Sequence, residues 1–283
     1  MVKEMAHKKK KYKLKWKNLI AVIIFLVAFI FLIKSGVDLI NYFIDTNKTN
    51  DEIKEIEDAV KIEETSDNEN TEIIEQTDEI PESNPYWDYI KMNLISVNFD
   101  ELLKLNDETK GWIQVNGTNI NYPFVQTDNN DYYLTHSYNK SYNQAGWVFM
   151  DYRNDTVNYD KNTILYAHGM NNKTMFGSLR NILSSSWYNN TDNHIIKLST
   201  PTENTLWQVF SVYHIETTND YIQTEFRSDE EYQEFLDMLI GRSAVTFDTT
   251  VNANDKILTL STCYNKTDKV VMHAKLIKRE ART

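Results

Sequence analysis

The chain has a single cysteine, Cys263, at the end of the run Thr259-Leu260-Ser261-Thr262-Cys263. A lone thiol cannot close an internal disulfide, which leaves nucleophile, metal ligand or inert core residue as its roles. No Cys-x-x-Cys or His-x-x-x-His spacing accompanies it, so a zinc site is disfavoured and no metal or cofactor is expected. A nucleophilic thiol works as thiolate and needs a histidine partner, with a cation or amide to hold a developing oxyanion. Five histidines lie beyond the N-terminal segment: His136, His168, His194, His214 and His273. His168 closes the apolar stretch Ile164-Leu165-Tyr166-Ala167 and precedes Gly169, so it stands where a strand opens into a loop, a place that displays catalytic groups. His273, among Val271, Met272 and Ala274, reads as a packed, hydrogen-bonded core histidine. His136, His194 and His214 offer no comparable placement.

The compartment of the thiol follows from the N-terminus. Lys3, Lys8, Lys9, Lys10, Lys11, Lys13, Lys15 and Lys17 precede an uncharged run from Asn18 to Ile33, extended by Ser35-Gly36-Val37 up to Asp38. Lys34 can snorkel, so 18–38 suits one membrane span. The basic cluster fixes the N-terminus in the cytoplasm and places everything after the span outside. A cleaved signal peptide shares this pattern, but no small-x-small site follows Ile33. The expected organisation is a cytoplasmic basic segment (1–17), a transmembrane anchor (18–38), an acidic extracytoplasmic linker (39–84) and a catalytic domain (85–283). Residues 45–84 carry fifteen acids against three lysines, so the chain's net charge of −11 belongs to the linker. That composition reads as a solvated spacer, with a charged helix possible over 51–64. No basic footprint for nucleic acid remains.

The elements that must position Cys263 and His168 read as mostly β with added helices. Strands are expected at 111–115, 119–125, 147–151, 163–168, 194–200, 206–215, 256–262 and 269–278, with a weaker one at 244–247. Asn116-Gly117 is a hairpin signal. A helix is expected over 228–240, capped by Ser228 with Glu231 completing a capping box, its apolar face made by Tyr232, Phe235, Leu236, Leu239 and Ile240, and Gly241 ending it. Shorter helices fit 98–105, with Phe99, Leu102 and Leu103 inward, and 86–94. Eight or so strands with a late helix suggest a β-barrel, although a sandwich fits the pattern too.

Several segments together resemble the sortases. Thr259-Leu260-Ser261-Thr262-Cys263 is similar to the signature that ends the cysteine strand, and Tyr166-Ala167-His168-Gly169-Met170 to the histidine segment. Gly111-Trp112-Ile113, Asn121-Tyr122-Pro123, Tyr132-Tyr133-Leu134-Thr135-His136 and Phe149-Met150-Asp151-Tyr152-Arg153-Asn154 resemble class B segments in particular, as does the helix before the cysteine strand. The resemblance spans residues 86–278. It implies an eight-stranded sortase-type β-barrel with N-terminal helices, and a membrane-anchored cysteine transpeptidase of a Gram-positive surface. In that reading Cys263 attacks the carbonyl after Thr in the sorting motif of a secreted surface protein. A thioacyl enzyme forms, and an amine of peptidoglycan precursor or of a pilin resolves it, with His168 as acid and base.

The resemblance also implies an arginine four residues before the last-strand histidine, where this chain has Lys269. Lysine is a compact cation without the planar fork. Lys269 can substitute directly, another cation can reach in (Arg153 first, then Arg242 or Arg279), or the site is impaired. Side chains alternate along a strand, so Ser261 shares the face of Cys263 and is the better contact for a sorting peptide. Thr262 is also a candidate peptide contact, but points to the other face, where a wall residue fits. Two other functions share these residues: a cysteine endopeptidase that releases to water, and a surface-binding module with a decayed site.

Overall fold

The computed structural model describes residues 15–74, 80–155 and 157–282. The lysines from Lys3 to Lys13 in the expected cytoplasmic segment lie outside them. The chain divides into two compact units, Met1–Asn47 and Lys48–Thr283. Helix α1 (Trp16–Ala59) contains the whole 18–38 stretch. Ile20, Phe25, Phe29 and Leu32 are all exposed on it, and it is long and apolar enough to cross a membrane. A helix apolar on every side has no single face to bury against a soluble core.

In the second unit, β1 (Ile62–Thr65) and β2 (Thr71–Ile73) follow α1. Next come α2 (Tyr86–Tyr89), β3 (Leu94–Val97), α3 (Phe99–Leu105), β4 (Thr109–Val115), β5 (Asn121–Val125), β6 (Phe149–Met150) and β7 (Asn162–Tyr166). The chain continues through α4 (Ser185–Tyr188), β8 (Ile195–Ser199), β9 (Glu203–Glu216), α5 (Asp229–Arg242), β10 (Ile257–Cys263) and β11 (Asp268–Ala281). Eight strands run in the order β10-β7-β6-β5-β4-β8-β9-β11, and pairing of β10 with β11 closes the ring. This is the eight-stranded barrel expected from the sequence, with full closure removing exposed edges. Leu165, Leu198, Val212, Leu258, Leu260 and Met272 fill its interior. Outside it, Tyr232, Phe235, Leu236 and Leu239 of α5 pack on Phe210, Tyr213, Ile257 and Val271.

Part of the acidic stretch is not the solvated spacer its composition suggests. β1 pairs antiparallel with β3, and β2 pairs with β11 beyond the end of β10. The buried Lys278 ammonium ties this region down, donating to the carbonyls of Ile90 (2.9 Å) and Met92 (3.1 Å) and pairing with Asp67. Ile56 of α1 joins the core. The helix expected over 51–64 therefore stops at Ala59.

Other differences are local. The expected helix 86–94 ends at Tyr89, because Leu94-Ile95-Ser96-Val97 is claimed by pairing with β1. In α3, Asn98 caps by accepting from the Asp100 amide at 2.8 Å. Phe99 and Leu102 are buried, but Leu103 rotates outward and is 40% exposed. In α5, Ser228 accepts from the Glu231 amide, while the Glu231 carboxylate reaches the Arg227 amide instead of that of Ser228. The helix runs through Gly241 to Arg242, and Ile240 is exposed. Residues 244–247 form no strand.

Candidate active site

Strands β10 and β11 pair with Leu258 opposite Ala274, Leu260 opposite Met272 and Thr262 opposite Val270. All but Thr262 belong to the apolar barrel interior. The alternate pairs, Thr259 with His273, Ser261 with Val271 and Cys263 with Lys269, therefore face outward. Going towards the end of β10, this outer face passes from the apolar cover of α5 to a groove. The thiol sits where the cover stops, and Lys269 is its direct cross-strand neighbour. The Lys269 ammonium donates to the Cys263 sulfur at 3.0 Å, so the cation is placed to hold negative charge on sulfur or on an atom bonded to it.

His168 reaches the same groove from β7. That strand runs parallel to β10, with Tyr166 opposite Ser261 as the last pair of the ladder. Both candidate residues stand two positions beyond this pair, so regular strand hydrogen bonds do not set their spacing. Side chains do so instead. The Thr262 hydroxyl donates to the Ala167 carbonyl at 2.8 Å, and Arg180 donates to the Gly169 carbonyl at 2.7 Å and the Cys263 carbonyl at 3.4 Å. Gly169 lies so close behind β10 that a Cβ there would come within 2.3 Å of the Cys263 carbonyl oxygen. The His168 ring is itself oriented, its Nε2 lying 2.8 Å from the Leu134 carbonyl. A carbonyl only accepts, so Nε2 carries the proton and Nδ1 is the nitrogen available for transfer.

The groove has a volume of about 380 Å³, and its lining includes Cys263, His168, Lys269, Leu134, Tyr221 and Ile222. Ser261 and Thr262 also contribute to it. Ser261 shares the Cys263 face, and its hydroxyl is 2.9 Å from that of Tyr221. Burial pushes the Tyr221 phenol up, with the Ser261 hydrogen bond opposing. Thr262 is set in the barrel wall. The chain between β9 and α5, which supplies Thr217, Thr218, Asn219, Tyr221 and Ile222, was not visible as site-forming, because nothing in its composition marks which loop will fold over the cysteine strand. Nor did Arg180 or the close approach of Gly169 show in the sequence.

Of the four candidate cations Lys269, Arg153, Arg242 and Arg279, Lys269 alone contacts the sulfur among the described residues. Arg153 engages both oxygens of Asp151 (2.8 and 2.7 Å) and the Ile222 carbonyl (2.9 Å). Burial would raise the Asp151 carboxyl, but hydrogen bonds from Arg153 and Tyr166 outweigh it and hold the group below the usual range. Arg242 is bound to Asp220 and Arg279 to Glu203. His273 is the core histidine its sequence suggests, fully buried between Thr259 and Tyr213, each at 2.8 Å. Burial and the Arg242 charge push its imidazole down to about 3. His214 pairs with Asp268. Among the described residues, no three or more His, Cys, Asp or Glu side chains form a group that could hold a metal ion.

A closed barrel with a cysteine ending one strand, a histidine just past the end of its parallel neighbour and a cation across the ladder defines a class of β-barrel thiol enzymes. The Sortase domain family matches residues 113–277, and the chain belongs to the sortase family. Sortase B of Staphylococcus aureus is 39% identical over 184 residues, covering 64% of this chain and 75% of that protein. Sortase B of Listeria monocytogenes is 35% identical over 181 residues, covering 62% and 73%. Among solved structures, a sortase B complexed with triglycine aligns with a TM-score of 0.60 at 38% identity, covering 64% of this chain and 85% of the other. The S. aureus sortase B–substrate complex aligns with a TM-score of 0.60 at 38% identity, covering 64% and 84%. The structural neighbours are class B sortases.

Proposed function

We propose that the chain is a membrane-anchored cysteine transpeptidase that joins secreted surface proteins to an amine of the cell surface. The observation that carries this reading is the Cys263 thiol with the Lys269 ammonium at 3.0 Å and His168 on the same groove. The Cys263 thiolate attacks the carbonyl carbon after Thr in the sorting motif. The peptide C–N bond breaks, and the leaving amine takes a proton from the His168 imidazolium. The resulting thioester is attacked by an acceptor amine that gives a proton back to His168, and the C–S bond breaks as the new amide forms. Lys269 holds the charge on the tetrahedral oxygen in the place where the family pattern has arginine. Thr217, Thr218, Asn219, Tyr221, Ile222, Ser261 and Leu134 offer the walls for an extended peptide, and the substrate complex of a relative supports a peptide ligand. The acceptor is a peptidoglycan-precursor amine, with a pilin amine as the variant. The stretch 18–38 anchors the enzyme with its N-terminus in the cytoplasm and the barrel outside.

The test is incubation with a panel of sorting-motif peptides, with and without amine acceptors, followed by intact mass of the protein. The expected results are a thioacyl adduct on Cys263, amide product only when an amine is present, and no adduct for Cys263→Ala. Product that is unchanged by any amine makes the enzyme a hydrolase. Turnover by Cys263→Ala removes the mechanism.

A further inference from the structure

The pair that serves the proposed transfer reaction has a second chemistry. We propose that Cys263 and Lys269 are a redox modification site, in which a peroxide-oxidised thiol condenses with the lysine amine into a reversible S–N cross-link.

Three observations carry this. The Lys269 nitrogen lies 3.0 Å from the Cys263 sulfur, on residues directly opposite in an antiparallel ladder, so no backbone movement is needed to bring the atoms to bonding distance. Both side chains open on a groove, which admits a small oxidant. Cys263 is also the only cysteine of the chain, so no second thiol of the same molecule can resolve its sulfenic acid as a disulfide. Without a resolving group, a sulfenic acid proceeds to the sulfinic and sulfonic acids, which thiols do not reverse. Lys269 stands where a resolving group would have to be. An arginine there could not serve, because its guanidinium does not give up its proton in proteins.

The steps balance. The thiolate sulfur attacks one oxygen of hydrogen peroxide, the O–O bond breaks, and the leaving hydroxide takes a proton from the Lys269 ammonium beside the sulfur, so that a sulfenic acid, one water and a neutral amine form. The neutral Lys269 amine then attacks the sulfur. The S–O bond breaks, and the hydroxyl leaves with a proton from nitrogen as a second water. One thiol, one amine and one peroxide thus give one S–N bond and two waters. Effective molarities of about 10⁵ M or more for fixed neighbours favour this amine over any in solution. Two external thiols reverse the link, restoring thiol and amine and leaving a disulfide of the reductant. The competitor is a backbone amide nitrogen, which can also form a sulfenamide.

The experiment needs no substrate, so its outcome is separate from that of the transfer reaction. The full chain in detergent is treated with hydrogen peroxide in molar excess, because the sulfinic acid consumes two peroxides per thiol, and its intact mass and peptide map are recorded before and after dithiothreitol. The expected result is a species lighter by about 2 Da, mapping to a link between Cys263 and Lys269 and reversed by dithiothreitol. Lys269→Arg should lack it and gain about 32 Da irreversibly as sulfinic acid. Direct conversion of the unsubstituted chain to sulfinic acid would overturn the proposal. So would a link mapped to a backbone nitrogen, or a lighter species that persists in Lys269→Arg. The map of the unsubstituted chain decides even if the variant folds poorly.

Discussion

Replacing Gly169 by alanine adds one methyl group at the point where the histidine loop touches the cysteine strand. The new Cβ would lie 2.3 Å from the Cys263 carbonyl oxygen, 3.1 Å from the Thr262 hydroxyl and 3.3 Å from the Arg180 guanidinium. Ordinary contact begins near 3.4 Å, so the carbonyl and the loop must separate by about 1 Å. The atom that has to yield is backbone, fixed by β10 on one side and the Arg180 contact on the other. A displacement of that size at a reacting group costs roughly 10²-fold in rate. The accompanying strain, about 1–3 kcal/mol for an overpacked site, corresponds to a fall of roughly 2–12 °C in Tm for a unit of this size. The added group sits behind β10, away from the groove face of the thiol, so kcat should fall with KM little changed. The assay is steady-state transfer of a sorting peptide to an amine, run beside a thermal melt. A variant with kcat within about threefold of the parent and an unchanged Tm would refute the argument that Gly169 sets the distance between the two strand ends.

Lys269→Ala should lose about 10²–10³ in kcat, the usual cost of one oxyanion donor, while Lys269→Arg should stay within about tenfold because charge is kept and only reach and shape change; equal losses in both would move the cation role elsewhere. Thr262→Val keeps the shape of a buried wall residue but leaves the Ala167 carbonyl unpaired, so urea unfolding should show a loss of about 1–3 kcal/mol; an unchanged midpoint would mean that the tie contributes nothing. The buried His273 is held neutral, pushed down to about 3 from 6.5. The unfolded chain therefore binds a proton below pH 6.5 that the folded chain refuses, and stability falls as pH drops through the window 6.5 to 3. The slope from this group is at most about 1.4 kcal/mol per pH unit, or roughly 2–3 kcal/mol between about pH 6.5 and 4.5. In urea titrations across that range His273→Gln should show a shallower loss than the parent, and parallel slopes would refute the assignment.

The sequence showed most of the strands, the long helix and the candidate nucleophile because these rest on local pattern, while the choice of barrel over sandwich rested on the resemblance. Alternation along Leu258-Thr259-Leu260-Ser261 places Ser261 with Cys263, and the structure has them on one face. The capping Ser228 and the apolar spacing of Tyr232, Phe235, Leu236 and Leu239 define α5 without reference to what it covers. What could not be read depends on partners distant in the chain. β1 and β2 have an acidic composition that excludes a core, yet they need none: they gain backbone pairing from β3 and β11, and Asp67 meets Lys278 from the far end of the chain. Leu94 looked helical for the same reason, since its strand exists only when β1 is beside it. Arg180 and Tyr221 reach the site from segments with no pattern of their own.

The register between β10 and β11 also separates two properties of the cation that a motif runs together. Its place is dictated by the fold, because the residue opposite Cys263 in an antiparallel ladder is fixed by pairing that continues from Ile257 and Lys275 without interruption. A slip of one residue would turn Val270 outward and bring Lys269 into the barrel, so the ladder protects the position whatever side chain occupies it. Its chemical identity is free to change within what reaches the sulfur and carries charge. Lysine satisfies both conditions at 3.0 Å, and Arg153, Arg242 and Arg279 are each held by a carboxylate of their own. Replacing arginine by lysine at position 269 therefore leaves the charge at the thiol in place and exchanges an inert guanidinium for an amine that can itself react.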